Sequence, residues 1–210
     1  MTGEDKPKAE HIVWQHHVVT RAMREQRNGH RAVVIWFTGL SGAGKSSIAC
    51  ALEQRLQAVA CQTYVCDGDN IRHGLNRDLG FSPKDRSENI RRIAEVAKLM
   101  LDAGLIVMTA FISPYRHDRE LARQCIGGED FIEVYCQCSV EECERRDVKG
   151  LYRKARAGEI REFTGISAPY EAPETADIVL DTATSSIGQC VSVLLEYLRQ
   201  RGVLDGRHLV

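Results

Sequence analysis

The stretch Ala32-Val-Val-Ile-Trp-Phe-Thr38 leads directly into Gly39-Leu-Ser-Gly-Ala-Gly-Lys45-Ser46, and together these residues decide the fold. The first part is an unbroken apolar run of strand length, which is typical of a parallel strand covered on both faces. The second part fits the phosphate-loop pattern G-x-x-x-x-G-K-[ST], and residues 46–59 after it form a helical stretch. Because the motif requires a strand before it and a helix after it, this context predicts a phosphate-binding loop.

The residue types of this loop suit the phosphate chain of a nucleotide. Glycines let backbone N–H groups turn toward phosphate oxygens, and the following helix adds the partial positive charge of its N-terminus. We expect Lys45 to reach the β- and γ-phosphates and the Ser46 hydroxyl to bind Mg²⁺. The predicted nucleotide site, which the resemblance given below makes an ATP site, consists of Gly39, Leu40, Ser41, Gly42, Ala43, Gly44, Lys45, Ser46 and Ser47.

Strand and helix patterns continue to alternate along the chain. Four further apolar runs of strand length occupy residues 63–66, 105–111, 131–138 and 177–180. Ser82-Pro83 begins a long helix that ends near Ala103, Ser139-Val-Glu-Glu142 has the form of a capping box, and residues 186–199 form an amphipathic helix. The alternation predicts an α/β fold with three α/β/α layers around a mainly parallel five-stranded sheet.

The length of 210 residues suffices for one large α/β domain. We assign residues 1–30 to an N-terminal arm packed on the surface and residues 31–210 to the domain. The periodicity breaks between about residues 147 and 173, in a stretch rich in glycine, lysine and arginine. We predict that this stretch forms a mobile lid.

Composition and charge exclude a membrane-spanning protein and a general nucleic-acid binder. No apolar run approaches the roughly 18 residues that a membrane-spanning helix needs. The formal net charge is −1, so no global positive field attracts nucleic acid or an anionic membrane. However, 21 of the 28 basic residues are arginines, whose planar fork suits bidentate recognition of phosphate or sulfate.

The eight cysteines are expected to be reduced and buried, because most fall in apolar segments and the chain shows no secretory signal. Cys136, Cys138 and Cys143 lack the two spaced ligand pairs of a zinc site, so we expect no metal there. Reduced thiols and the lack of a secretory signal favour a cytoplasmic protein, which is our prediction.

The acceptor side of the predicted site follows the second strand. Asp67-Gly-Asp69-Asn70-Ile71-Arg72 joins carboxylates, an amide and a guanidinium just past a strand end, where open parallel sheets place their ligands. Arg86 and Asn89 lie three residues apart on one face of the long helix, so both are able to contact one ligand. Neither an Asp-Glu pair after the third strand nor a guanine-reading Asn-Lys-x-Asp is present, which favours a small-molecule kinase over a motor or a GTPase.

Several ordered motifs resemble those of the adenylylsulfate kinase (APS kinase) family, from Ile12 to about Asp181. They are Phe37-Thr-Gly-Leu-Ser-Gly-Ala-Gly-Lys-Ser46, Asp67-Gly-Asp-Asn-Ile-Arg-His-Gly-Leu75, residues 85–92, Phe111-Ile-Ser-Pro-Tyr-Arg116, Lys149-Gly-Leu-Tyr-Arg-Lys-Ala-Arg-Ala-Gly158 and Phe163-Thr-Gly-Ile166. The resemblance implies a P-loop kinase fold and transfer of the γ-phosphate of ATP to the 3′-hydroxyl of adenosine 5′-phosphosulfate (APS). The product is 3′-phosphoadenosine 5′-phosphosulfate (PAPS), in sulfate assimilation. Ser47 stands where the family commonly has threonine, and we expect little consequence.

The resemblance also implies roles for individual residues. It assigns Arg72, Arg86 and Asn89 to the substrate, and makes Phe81 and Phe163 the two faces of a sandwich around its adenine, with Phe163 delivered by the lid. We expect Phe163 to resist simple core packing better than Phe81, because it lies in a glycine- and charge-rich stretch. The remaining matches are Asp69, Asn70, Ile71, Ile112, Ser113 and Lys149 as substrate contacts and Arg145, with Arg146, as candidates for ATP.

For the chemistry we expect direct in-line transfer. Lys45 and Mg²⁺ neutralise the charge that develops on the transferred group, Asp69 orients the 3′-hydroxyl, and Ser113 positions the substrate. In the family, the serine at the position of Ser113 is often described as a phosphorylated intermediate, yet a serine hydroxyl needs an activating base and in-line access. The resemblance further suggests a homodimer and a functional link to ATP sulfurylase, without the sulfurylase domain fused to some relatives.

Two other functions stay open. One is a P-loop kinase for another small acceptor, such as a sugar or a nucleoside. The other is a catalytically inactive nucleotide-binding module that regulates a sulfurylase. Lys45, Ser46 and Asp69 together argue against the second, because an inactive module has no need of all three.

Overall fold

One parallel sheet forms the centre of the molecule, in a computed structural model that describes residues 11–13 and 15–205. Its strands are β1 (Val33–Thr38), β2 (Thr63–Asp67), β3 (Ile106–Ala110), β4 (Phe131–Gln137) and β5 (Ile178–Asp181). Their order is β2-β3-β1-β4-β5, and every neighbouring pair is parallel. The predicted five-stranded sheet is confirmed, and in the described residues it is parallel throughout.

Helices of the described chain cover both faces of this sheet. They are α1 (Arg21–Asn28), α2 (Lys45–Ala58), α3 (Gly68–Arg72), α4 (Pro83–Asp102), α5 (Arg116–Ile126), α6 (Val140–Arg146), α7 (Leu151–Arg156) and α8 (Ile187–Gln200). None of these helices is long and apolar enough to cross a membrane.

Strand β1 shows how the three layers are built. Val33, Ile35 and Phe37 pack in a core cluster with α2 and α8, whereas Val34 and Trp36 pack in a second cluster with α4 and α5. Successive side chains of a strand point to opposite faces of the sheet, so an unbroken apolar run serves both clusters at once. Every residue of β1 is buried.

Two predicted helix starts differ in how they are capped. The Ser82 hydroxyl accepts an N–H from the first turn of α4, as predicted. The Ser139 hydroxyl likewise accepts the N–H of Glu142, at 3.2 Å. The Glu142 carboxylate, however, pairs with Arg145 and Arg146 instead of returning to the cap, so the capping box predicted for α6 is only half formed.

The arm predicted for residues 1–30 includes the helix α1. The guanidinium of Arg21 binds the carboxylate of Asp130 through two hydrogen bonds, of 2.5 and 2.8 Å, and this fastens α1 beside the start of β4. Residues 1–10 and Trp14 lie outside the described residues.

All eight cysteines carry free thiols, and six of them are buried. Burial raises the pKa of Cys136 to about 12 and those of Cys61 and Cys66 to about 11, which keeps these thiols protonated. The expectation of reduced, buried thiols is confirmed for these six. It is wrong for Cys50, which is exposed on α2, and Cys125 is half-buried.

Candidate active site

The phosphate loop joins β1 to α2 and has the backbone that its motif requires. Gly39, Gly42 and Gly44 have φ angles of 146°, 78° and 88°, in the region that favours glycine. At Gly39 a Cβ atom would lie 2.7 Å from the carbonyl oxygen of Cys136, so no larger residue fits without a shift. Because α2 begins at Lys45, its N-terminus opens into this loop, as an anion site requires.

Lys45 folds back onto the loop. Its buried ammonium donates to the carbonyl oxygens of Gly39, at 2.9 Å, and Leu40, at 2.6 Å. Burial lowers the pKa of Lys45 to about 8, because the charged form loses hydration. The cation has therefore already lost most of its hydration before it meets a phosphate. Ala43 is buried in the loop, and Ser47 is exposed on the first turn of α2.

The hydroxyl of Ser46 donates to Oδ2 of Asp67 across 2.5 Å. Asp67 ends β2, and its Oδ1 accepts the N–H of Asp69 at 3.0 Å, so both of its carboxylate oxygens are held. A hydroxyl and a carboxylate oxygen side by side form the kind of donor set that Mg²⁺ prefers, and the residues present fit this ion. Ser46 is the ligand that the sequence predicts. Asp67 adds a second oxygen, and its place at the carboxyl end of β2 is the sequence signal for it.

The carboxylate of Asp69 pairs with the ammonium of Lys149. Asp69 lies on α3 and Lys149 in the segment 147–173, so the pair joins the predicted acceptor side to the predicted lid. Both side chains are more than half exposed, and such a pair contributes little to stability. Its effect is positional, because it brings together two predicted site residues that are 80 positions apart. Asp67 and Asn70 line a cleft of about 360 Å³ with residues of α2 and β2, and neither Asp69 nor Lys149 lines it.

Two guanidinium groups converge on the ring of Phe81. That of Arg72 lies 4.4 Å from the ring centroid and that of Arg86 lies 5.6 Å from it. Both donate to backbone carbonyls, Arg86 to that of Glu162 in the predicted lid at 2.8 Å, and neither forms an ion pair with a described carboxylate. Burial lowers the pKa of each. Because the Phe81 ring is 58% exposed, this cluster suits an anionic ligand with an aromatic base.

Two further predicted substrate contacts lie partly in the core. Asn89 is buried on α4, and its Oδ1 accepts a hydrogen bond from Asn76 at 3.0 Å. Ile71 is half-buried and packs against the core cluster between the sheet and α4. Their packing accounts for both side chains, and their contact with substrate stays a prediction.

Ser113 lies in the irregular segment that joins β3 to α5. Its φ is 39°, a conformation that costs energy in a residue with a side chain. The buried hydroxyl accepts the indole N–H of Trp36 at 3.2 Å, and the carbonyl of Ile112 accepts the Thr38 hydroxyl at 2.8 Å. Within the described chain, neither a carboxylate nor an imidazole hydrogen-bonds to the Ser113 hydroxyl. The group thus lacks the adjacent base that a serine nucleophile needs.

The segment 147–173 lies against the phosphate loop. From α7, the Tyr152 hydroxyl donates to the carbonyl of Ser41 at 2.9 Å. A Cβ atom at Gly165 would lie 2.9 Å from a methyl group of Leu40, so segment and loop touch with no room for a side chain. The position suits a lid over the phosphate loop, and its motion stays a prediction.

Phe163 packs in the core rather than opposite Phe81. It is 8% exposed, and its ring meets that of Tyr152 edge-on with centroids 5.0 Å apart. The expectation that Phe163 is the less core-like of the two phenylalanines is therefore wrong. The physical reason is α7, which supplies an aromatic partner from within the charge-rich segment itself. The adenine sandwich of Phe81 and Phe163 stays a prediction.

Of the two arginines predicted for ATP, Arg146 is the one that touches the phosphate loop. It donates to the carbonyls of Gly42, at 3.4 Å, and Thr182, at 2.7 Å. The Arg145 side chain is 75% exposed and pairs with Glu142. Adjacent residues of a helix point in different directions, and their spacing in sequence does not tell which one faces the loop.

Comparison with known proteins agrees with this geometry. The family model for adenylylsulphate kinase matches residues 31–181. An adenylyl-sulfate kinase of Staphylococcus epidermidis is 60% identical over 193 residues, which are 92% of this chain and 97% of that protein. The structure of an APS kinase of Mycobacterium tuberculosis, in complex with AMPPNP and APS, is 48% identical with a TM-score of 0.78, and covers 81% of this chain and 99% of that one.

A hexameric APS kinase from Thiobacillus denitrificans has a TM-score of 0.64 and 30% identity, over 88% of this chain and 32% of that one. The motifs, the parallel sheet and these relatives agree, and the chain belongs to the adenylylsulphate kinase family.

Proposed function

We propose that this chain works as an adenylyl-sulfate kinase with the residue roles given below. The reaction transfers the γ-phosphate of ATP to the 3′-hydroxyl of APS and gives PAPS and ADP, a step of sulfate assimilation. The contact between Ser46 and Asp67 carries the assignment of roles, because it joins the phosphate loop to the segment that holds Asp69 and Arg72. Donor and acceptor groups are thus neighbours at one edge of the sheet.

On the donor side, the backbone N–H groups of the loop hold the β- and γ-phosphates, and Lys45 donates to their oxygens. Ser46 and Asp67 would hold Mg²⁺, which when bound neutralises charge on the phosphate oxygens. Arg146, through its contact with Gly42, is better placed than Arg145 to reach the nucleotide.

On the acceptor side, Arg72 and Arg86 bind the phosphosulfate group, because both cations lie beside Phe81 and form no ion pair with a carboxylate of the described residues. The exposed ring of Phe81 stacks on the adenine, and such stacking is worth about 1–3 kcal/mol per base. In this proposal the ring of Phe163 stacks on the opposite side of the adenine. For this it must leave its contact with Tyr152, so the lid has to rearrange when APS binds.

For the transfer itself, Asp69 accepts a hydrogen bond from the 3′-hydroxyl and directs its oxygen at the γ-phosphorus. Lys149, which pairs with Asp69, brings the lid to the acceptor. Ser113 positions the substrate and stays unphosphorylated, because among the described residues its hydroxyl bonds to the Trp36 indole and to no carboxylate or imidazole. The remaining substrate contacts in the proposal are Asn70, Ile71, Asn89 and Ile112.

A product assay tests the function. Purified protein receives Mg-ATP and APS, and both PAPS and ADP are measured, with Lys45→Ala as the control. Equal amounts of the two products, absent in the control, support the proposal. ADP without PAPS would indicate another acceptor or idle hydrolysis. Absence of turnover in folded protein that binds ATP would favour an inactive regulatory module.

We further propose that the chain forms a homodimer. The hexameric relative from Thiobacillus denitrificans supports self-association of this fold. Light scattering on the purified chain is expected to give twice the monomer mass of 23.5 kDa, and a monomer mass would contradict the proposal. The link to ATP sulfurylase and the cytoplasmic location stay predictions.

A further inference from the structure

Arg119 on α5 is a buried cation whose guanidinium spans three parts of the molecule. Its side chain is 3% exposed. Nε donates to the Glu133 carboxylate on β4 at 2.7 Å, Nη1 to the carbonyl of Ser113 at 2.7 Å, and Nη2 to the carbonyl of Glu171 at 2.8 Å. Both terminal nitrogens of the guanidinium fork therefore bind backbone groups that are 58 positions apart in sequence.

The ion pair with Glu133 does not by itself explain a cation at this position. Removal of a guanidinium from water is costly, and a well-packed apolar pair of similar volume is often as stable as a buried ion pair. An apolar pair, however, has no N–H groups to donate to the carbonyls of Ser113 and Glu171. Arg119 supplies two, and their directions are fixed by the planar guanidinium.

The two carbonyls belong to two parts of the site, the segment after β3 and the end of the lid, whose relative position matters for binding the acceptor. Ser113 has a φ of 39°, a conformation that persists only where its surroundings fix it. Glu171 is near the end of the segment 147–173, and its N–H donates to the Pro114 carbonyl at 2.8 Å. The end of the lid is thus hydrogen-bonded to Pro114, the residue that follows Ser113. Arg119 donates a hydrogen bond to each of these two segments.

We propose that Arg119 is a positioning residue for the acceptor substrate: it fixes the segment around Ser113 and the end of the lid to each other. The inference rests on the proposed function, in which Ser113 and the lid contact APS. None of the hydrogen bonds of Arg119 goes to residues 39–46 of the phosphate loop. Its loss is therefore expected to change the binding of APS and to spare that of ATP.

The variant Arg119→Lys tests this role, because it keeps the positive charge beside Glu133 but has one terminal nitrogen instead of a fork. Arg123→Lys is the matched control. Arg123 lies on the same helix and pairs with Asp177 at 2.8 Å and with Glu133 at 3.7 Å, but contacts neither Ser113 nor Glu171. Initial rates of PAPS formation give KM for each substrate, and thermal unfolding gives stability.

We expect Arg119→Lys to raise KM for APS at least tenfold and to leave KM for ATP within twofold of wild type, while Arg123→Lys changes neither. If Arg119 only stabilised the fold, the variant would contain a smaller fraction of folded enzyme. The apparent kcat would then fall, and both KM values would stay unchanged. That result, or an equal rise of both KM values, would overturn the proposal. If the wild type makes no PAPS in the same assay, the proposed function fails instead.

A second variant keeps the test decisive if Arg119→Lys does not fold. The double change Arg119→Met with Glu133→Leu removes both buried charges and replaces them with apolar groups, which favours folding. It also removes both donors to the two carbonyls. The same selective rise in KM for APS is expected, and an unchanged KM for APS would again overturn the proposal.

Discussion

Ser46 and Asp67 meet at 2.5 Å, hydroxyl to carboxylate, although Ser46 lies in the first turn of α2 and Asp67 ends β2. If both hold Mg²⁺, Asp67→Asn is expected to lower kcat by about a hundredfold, since a bound metal supplies several kcal/mol of charge stabilisation in the transition state. Nucleotide affinity measured without Mg²⁺ is expected to stay within threefold of wild type.

Glu53→Gln is the control for Asp67→Asn, because Glu53 lines the same cleft and does not contact Ser46. Its activity and its dependence on Mg²⁺ concentration are expected to match wild type. A full kcat in Asp67→Asn at saturating Mg²⁺ would remove Asp67 from the metal site.

The pKa of Lys45, lowered to about 8 by burial, predicts a pH-dependent affinity for ATP. Contact with phosphate favours the protonated amine and raises its pKa, so binding takes up one proton when the pH exceeds about 8. Affinity is therefore full below pH 8 and falls about tenfold per pH unit above it, until the pKa of the complex is reached. Calorimetry in buffers of different ionisation enthalpy measures both the affinity and the proton uptake.

Lys45→Arg serves as the reference for this titration, because a guanidinium stays protonated throughout the range. Its affinity, whatever its absolute value, is expected to be flat between pH 7 and pH 9.5. A flat wild-type profile over the same range would show that Lys45 is not the group that titrates.

Ser113→Ala is expected to retain turnover within about tenfold of wild type, because the hydroxyl faces the Trp36 indole and has no base beside it. The change leaves the Trp36 N–H without its acceptor, so the free energy of unfolding should fall by about 1–2 kcal/mol. Denaturant titration and the PAPS assay measure the two effects separately. Complete loss of turnover with intact APS binding, or a phosphate found on Ser113 by mass spectrometry, would favour the covalent route.

The contrast between Phe81 and Phe163 predicts two different phenotypes. Phe81→Ala should change stability by less than about 0.5 kcal/mol, because the ring is exposed, yet weaken APS binding by about 1–3 kcal/mol. Phe163→Ala should cost about 3–5 kcal/mol of unfolding free energy, because it opens a cavity beside Tyr152. Calorimetric APS binding and thermal unfolding of both variants check this, and unchanged APS affinity in Phe81→Ala would remove it from the adenine site.

The strands and the phosphate loop were predictable because their signals are local. Each strand is a short run of mostly apolar residues, and the loop needs glycines at fixed spacing followed by Lys45 and Ser46. The short helices α3 and α7 were not predicted, because neither is long enough to show a helical period. Their place is set by contacts with distant residues, such as Tyr152 with Ser41.

The candidate site was predictable where its residues lie close together in the sequence. It was less predictable where a side chain is positioned by residues distant in the sequence. Asp69 and Arg72 stand in one stretch, so their chemistry is visible in the sequence. The preference for Arg146 over Arg145 depends on which side of α6 faces the loop, which only packing decides. The burial of Phe163 has the same origin, since its partner Tyr152 belongs to a helix that the charge-rich composition conceals.

The order of the sheet has a consequence for how this enzyme can change. The phosphate loop follows β1, Ser113 follows β3 and Asp67 ends β2, and these strands are hydrogen-bonded in the order β2-β3-β1. Their separation is thus set by the strand spacing of about 4.8 Å, and the two reacting groups share one rigid frame. A new acceptor specificity requires changes among the acceptor contacts, on α3, at Phe81, on α4 and in the lid, whereas the path of the phosphoryl group is inherited with the backbone.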